Sequence, residues 1–304
     1  AILWIINELE PENIWLPSYL CPSILSAVIP TSARVQFYET NKQLKLKDVR
    51  FIKKVKRGDV FLNIDFFGFP FLEEEHSALI AEKAFVIRDC SQSLFFDPSK
   101  SSADFTIFSP RKFLGVPDGG ILHIKQGIEL DLPVLQEPPF ESYFRLLGGS
   151  LMRREFDLHT GNRIWHQLLS DGENLNKPGD FRMSDVSQML LKKAFDYAHI
   201  QTQRRTNYTI LLKRLEGIAL FPVLLDNVVP LGFPVVLKRR DLIQHELFKE
   251  EIYPPIHWLI NGLVPEVFTE SHELSATILT LPCDQRYQAS DMERIAELLL
   301  GLIK

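Results

Sequence analysis

The stretch Ala84–Ile124, AFVIRDCSQSLFFDPSKSSADFTIFSPRKFLGVPDGGILHI, decides the fold. Its apolar runs Phe85–Ile87 and Phe105–Phe108 read as buried strands. Each ends in polar residues: Asp89 and Gln92 after the first, Ser109 and Lys112 after the second. In an open parallel sheet the C-terminal edge is where ligands bind, so an acid, an amide, a hydroxyl and an amine are expected at one crevice. Ile121–Ile124 resumes as another short strand, which makes Pro110–Gly120 a loop held at both ends.

Outward from this stretch the pattern repeats. Ala1–Leu9 is apolar at helical spacing, Asn13–Leu16 reads as a strand, and Pro22–Ile29 as a helix with proline in its first turn. Val35–Tyr38 is the next strand, Val49–Val55 an amphipathic helix, and Gly58–Asp65 a buried strand. Phe66-Phe-Gly-Phe-Pro70 then suits a crevice-lining loop, and Glu73–Lys83 a helix. Strands alternating with short helices give a parallel sheet with right-handed crossovers. Beyond Lys125 the rhythm weakens: Phe140–Leu147 is helical up to Gly148-Gly149, Trp165–Leu169 is a short helix, and Asp171–Gly179 is a polar loop. Phe181 to about Arg214 reads as one long helix with Ser184 as N-cap. The last third changes character, with strands at Gly232–Leu237 and Ala276–Leu281 and helices at Asp241–Lys249 and Asp291–Ile303, an α+β unit.

The edge groups suggest a chemistry. A lysine forms a Schiff base only as the neutral amine, so it needs a depressed pKa. Moving it from about 10.4 to about 8 costs roughly 3 kcal/mol, which partial burial beside Phe113 and Leu114 would supply. A shielded aspartate holds a pyridine nitrogen protonated, the usual electronic partner of pyridoxal phosphate. The order Asp89-x-x-Gln92, then Phe108-Ser109-x-x-Lys112, then Asp118-Gly119-Gly120 resembles the DegT-type aminotransferases of nucleotide-linked keto sugars, within the fold-type I pyridoxal-phosphate enzymes.

The resemblance implies an α/β fold: a mainly parallel sheet in a three-layer α/β/α cofactor-binding domain, residues 1–203, and a smaller C-terminal α+β domain, residues 204–304. It implies that Lys112 forms the aldimine and shuttles the proton, that Asp89 pairs with the pyridinium, and that Gln92 meets the ring oxygen. Ser109 would bind the cofactor phosphate. A glutamate-like donor would pass its amine to a nucleotide-linked keto sugar in a homodimer whose active site lies at the subunit interface.

Further positions follow from the same resemblance. The family's ring-stacking aromatic falls at Cys21, so Tyr19 is the candidate for that role, with a core tyrosine as the competing reading. His257, in Tyr253-Pro-Pro-Ile-His257, resembles a substrate-entrance histidine. Arg286 is a candidate for binding an acidic group, or else a partner of Asp284. The family's phosphate-reaching Asn is Asp180 here, with Arg182 nearby as another anion partner, and its glycine-threonine turn would precede Ala1. Two rivals stand beside this reading: a non-catalytic member acting as a scaffold, and another fold-type I enzyme such as a lyase or desulfurase, which would look to Cys283 for its thiol.

Composition bounds the rest. With 304 residues, 45% of them hydrophobic, the chain can bury a sizeable core. A net charge of −5 with both signs interspersed gives no nucleic-acid surface. Three widely spaced cysteines, Cys21, Cys90 and Cys283, fit a reducing compartment without disulfides, and the eight scattered histidines form no metal-ligand spacing. No apolar run reaches the roughly 18 residues of a membrane span, so a cytoplasmic enzyme binding no metal, nucleic acid or membrane is expected.

Overall fold

Strands covered on both faces are largely apolar, and four segments of this chain have that character, with their few polar residues buried. The computed structural model describes residues 1–71, 74–175 and 179–304. Helix α1 (Ile2–Leu9) leads into β1 (Asn13–Pro17), α2 (Pro22–Val28), β2 (Arg34–Tyr38) and β3 (Val60–Ile64). Then come α3 (Glu74–Ala81), β4 (Phe85–Asp89), β5 (Phe105–Phe108) and β6 (Ile121–Ile124). Every residue of β1, β3 and β5 is buried, and all of β4 except Phe85.

The six strands form one sheet in the order β2-β1-β3-β4-β5-β6. The β1–β2, β1–β3, β3–β4 and β4–β5 pairings are parallel. The chain reverses its direction of travel across the sheet between β1 and β3, the kind of switch point where α/β sheets bind ligands. A buried carboxylate fixes the entry to β3: Asp59 accepts from Asn13 Nδ2 at 3.0 Å, from Trp15 Nε1 at 2.9 Å and from the Lys56 N–H at 2.9 Å.

The remaining elements are α4 (Phe140–His159), α5 (Ile164–Leu175), α6 (Asp185–Lys193), α7 (Tyr197–Leu215), β7 (Phe233–Val236), α8 (Arg240–Lys249), α9 (Thr269–Thr277), β8 (Ile278–Leu281) and α10 (Ala289–Ile303). β7 and β8 pair antiparallel, so the α+β character expected of the last third is found. The chain divides into two compact units: Ala1–Phe108 with Leu122–Ile128 and Tyr197–Lys304, and Ser109–Ile121 with Glu129–Asp196.

Four expectations need correction. Val49–Val55 makes only a 3₁₀ turn, Arg50–Lys54. Gly148-Gly149 does not interrupt a helix, because α4 runs unbroken through it. Nor is Asp171–Gly179 all loop: Asp171–Leu175 belong to α5, while 176–178 lie outside the described residues. These glycines serve packing. A Cβ on Gly149 would come within 2.8 Å of Leu169, and one on Gly172 within 2.7 Å of Leu146, so each lets a leucine of the other helix approach. The long helix expected from Phe181 is two, α6 and α7, parted at Ala194–Asp196, where the chain passes between the units. The helix expected from Glu73 begins, within the described residues, at Glu74.

Candidate active site

In the larger unit the sheet edge is built by β1, β3 and β4. Asp89 ends β4 in register with Ile64 of β3 and Ile107 of β5, so the three share one face of the sheet. Asp89 is 6% exposed, and its Oδ1 accepts the Ser91 N–H at 2.8 Å. Among the described residues, no group bonds its Oδ2. The next-door side chain, Arg88, points the other way and donates from Nε to Asp65 Oδ2 at 2.9 Å, with its guanidinium 3.8 Å from the Phe96 ring centre. This buried ion pair was legible only as an arginine inside an apolar run. Burial pushes the Asp65 carboxyl up, against the pull of Arg88.

Gln92 is 2% exposed. Its Oε1 accepts the Phe67 N–H at 2.6 Å, while its buried Nε2 has no partner among the described residues. A buried donor without an acceptor costs about 1–3 kcal/mol, so the amide fits a ligand that brings an oxygen to it. A cofactor ring oxygen meets that requirement, and the Asp89 carboxylate meets that of a pyridinium.

Tyr19 does not offer a ring face. It is fully buried, tilted against Phe66 and Trp258, with centroids 6.1 Å and 5.9 Å away. Its hydroxyl donates to the His257 carbonyl and accepts the Trp258 N–H at 2.8 Å. Desolvation drives the phenol far above its usual range, so Tyr19 packs here as a neutral core tyrosine, the competing reading of its role. His257 is half-buried, its Nδ1 2.9 Å from Thr280 Oγ1 and its ring edge-on to Phe67 at 5.7 Å. Arg286 grips Asp284 with two bonds, Nε to Oδ1 at 2.8 Å and Nη2 to Oδ2 at 2.9 Å. Burial opposes ionisation of Asp284, but Arg286 outweighs it and holds the carboxyl below its ordinary value. Arg286 is thus a salt-bridge residue here rather than an open anion receptor.

In the smaller unit the loop after β5 opens with Ser109 and a 3₁₀ turn, Pro110–Lys112. Ser109 is half-buried and its hydroxyl has no bond among the described residues. Lys112 is exposed, a correction to the burial expected beside Phe113 and Leu114. The reason is geometric: three residues per turn put Pro110 and Phe113 on the buried side and leave Lys112 off it.

Asp118 is structural. It accepts the Ser184 N–H at 2.9 Å, the Ser184 hydroxyl at 2.6 Å and the Ser187 hydroxyl, tying the loop to the start of α6, where Ser184 is the N-cap as expected. Gly119 has φ +97, and a Cβ there would collide with the Met183 side chain. Arg182 pairs at the surface with Glu137 and Asp185, not with an open anion site.

No family model matches the sequence, and no curated protein matches it. Solved structures do match. A DegT DnrJ EryC1 StrS aminotransferase from Brucella abortus, 15% identical, aligns over 99% of this chain and 82% of its own, with a TM-score of 0.65. DesV from S. venezuelae, solved in complex with a ketimine intermediate, is 16% identical and aligns over 100% and 82%, with a TM-score of 0.69. The fold is fold-type I. NtdA from Bacillus subtilis, solved with bound cofactor PMP, shares it at 15% identity over 100% of this chain and 71% of its own, with a TM-score of 0.70. Fold-type I architecture thus accounts for the parallel sheet, the switch-point edge and the α+β elements together.

Proposed function

We propose that the chain is a pyridoxal-phosphate-dependent aminotransferase that moves an amino group from a glutamate-like donor to a nucleotide-linked keto sugar. One observation carries the reading. A buried carboxylate and a buried amide with an unpartnered donor stand at the C-terminal edge of β4, and the next strand continues into Ser109 and Lys112. The sugar-aminotransferase neighbours support the same class.

Bound there, pyridoxal phosphate would supply an electron sink for deprotonation next to nitrogen. Asp89 would hold the proton on the pyridine nitrogen from its buried position at the end of β4. Gln92 would donate from Nε2 to the ring oxygen, and Ser109 Oγ to the phosphate. Lys112 Nζ would hold the cofactor until the donor's amine displaces it and, once released, would move the proton from the donor and later to the acceptor. His257 stands on the substrate side in this reading, and residues 204–304 act as the small domain.

Three further statements belong to the proposal. The free cysteines suit a reducing, cytoplasmic compartment. Among the described residues, no helix is long and apolar enough to cross a membrane. Exposed Phe140, Phe144, Leu151 and Leu158 along α4 suit a homodimer. The desulfurase alternative loses its nucleophile, because Cys283 is fully buried and desolvation pushes its thiol up to about 12. The scaffold alternative is favoured by exposed Lys112.

The deciding experiment adds pyridoxal phosphate to the purified chain and reduces it with borohydride. The cofactor should become fixed to the peptide carrying Lys112, and Lys112→Ala should abolish the fixation and lower amino transfer at least about 10³-fold. A chain that binds the cofactor but is never labelled at Lys112 is a scaffold.

A further inference from the structure

An amide offers an acceptor at one end and a donor at the other, and which end faces a site is set by whatever holds the opposite end. For Gln92 that is the Phe67 N–H, which can face only an oxygen. Phe67 makes this bond from an unusual backbone: φ 57 and ψ 17, in the left-handed region that L-residues other than glycine rarely adopt. Three contacts impose it. Gly68, at φ +96, lies so close to Val229 that a Cβ would be 2.6 Å from its carbonyl oxygen. The Leu231 N–H donates to the Phe67 carbonyl at 3.0 Å. The Phe67 ring is fully buried, edge-on to His257 and tilted against Phe221.

We propose that the Phe66–Gly68 turn is a cofactor-positioning device: by fixing the Gln92 amide oxygen it presents Nε2 as a donor, so that Phe67 and Gly68 control recognition of the cofactor ring oxygen without touching it. This rests on the cofactor assignment of the preceding section. The strain at Phe67 is then part of the site. If the turn relaxes, the amide is free to rotate, and the end that meets a ring oxygen is no longer fixed.

Gly68→Ala tests it in the full chain, with Leu247→Ala, a buried leucine of α8, as a matched core lesion. Gly68→Ala should weaken pyridoxal-phosphate binding by about tenfold or more, the worth of one hydrogen bond to a charged group, and shift the bound cofactor's absorbance. Leu247→Ala should lower thermal stability and leave both unchanged. Gln92→Glu keeps an oxygen for Phe67 and replaces the donor. It should leave the Phe67 amide protected from hydrogen exchange in the cofactor-free protein while binding falls by at least the same factor. Gln92→Leu should lose that protection. Gly68→Ala with wild-type affinity and absorbance overturns the proposal. If Gly68→Ala does not fold, Gln92→Glu binding as tightly as wild type overturns it instead. Wild-type protein that binds no pyridoxal phosphate overturns the cofactor assignment and this inference with it, a result distinct from either.

Discussion

The β4 edge and the loop after β5 hold their functional candidates in opposite ways. At the β4 edge, Asp89 and Gln92 are buried, and their neighbours Asp65 and Arg88 are locked into an internal ion pair. In the loop, the side chains that are buried or bonded are the structural ones, Phe113, Leu114 and Asp118, while Lys112 is exposed. The polar groups of the sheet edge are buried by the strands around them, as a preorganised receptor for the proposed cofactor requires. The loop carries an exposed amine. A residue that recognises a ligand gains by being desolvated before the ligand arrives, whereas one that forms and breaks a covalent bond needs freedom to move.

The sharpest way to break this contrast is Arg88→Met. If the edge is truly preorganised by burial, removing the cation strands Asp65 and should cost about 3–5 kcal/mol in urea unfolding. The sign with pH follows from burial. Without Arg88 the Asp65 carboxyl is raised further, so it holds a proton in the folded state that the unfolded state has lost. Stability is then lost as pH rises through the folded value, and the deficit of Arg88→Met should be larger at pH about 8 than at pH about 5. An equal deficit at both would mean the pair is open to water.

Gly119→Ala probes the loop. Its positive φ and the collision with Met183 should cost about 1–3 kcal/mol, read as a lower unfolding midpoint. If the loop is only a handle, any activity that survives should show a lysine still accessible to acylating reagents.

The smallest effect calibrates both. Arg286 and Asp284 form an ion pair with Arg286 in solvent, so Asp284→Asn should cost below about 1 kcal/mol at pH 7. Burial works against the Asp284 charge, but Arg286 prevails and lowers the carboxyl. Its contribution is therefore present above the ordinary 3.8 and lost as pH falls through the lower folded value, where mutant and wild type should converge.

Much of this was readable from residues alone. Val60–Ile64, Phe85–Ile87 and Phe105–Phe108 read as buried strands from their short apolar runs, and the polar residues at their ends locate the edge. Other features were not. Gly149 and Gly172 look like helix breakers because local propensity knows nothing of a leucine waiting on a neighbouring helix. Tyr19 looks available for stacking until Phe66 and Trp258 are seen to enclose it. Lys112 looks buried beside Phe113 until the 3₁₀ turn sets them on different sides.

The sequence by itself determined the buried strands of the sheet and the chemical identity of the edge, since periodicity and residue type are local properties. Tertiary structure alone decided which polar atoms are already bonded and which are left for a ligand. Whether Gln92 presents a donor depends on Phe67, 25 residues away, which only the folded chain brings within hydrogen-bonding distance.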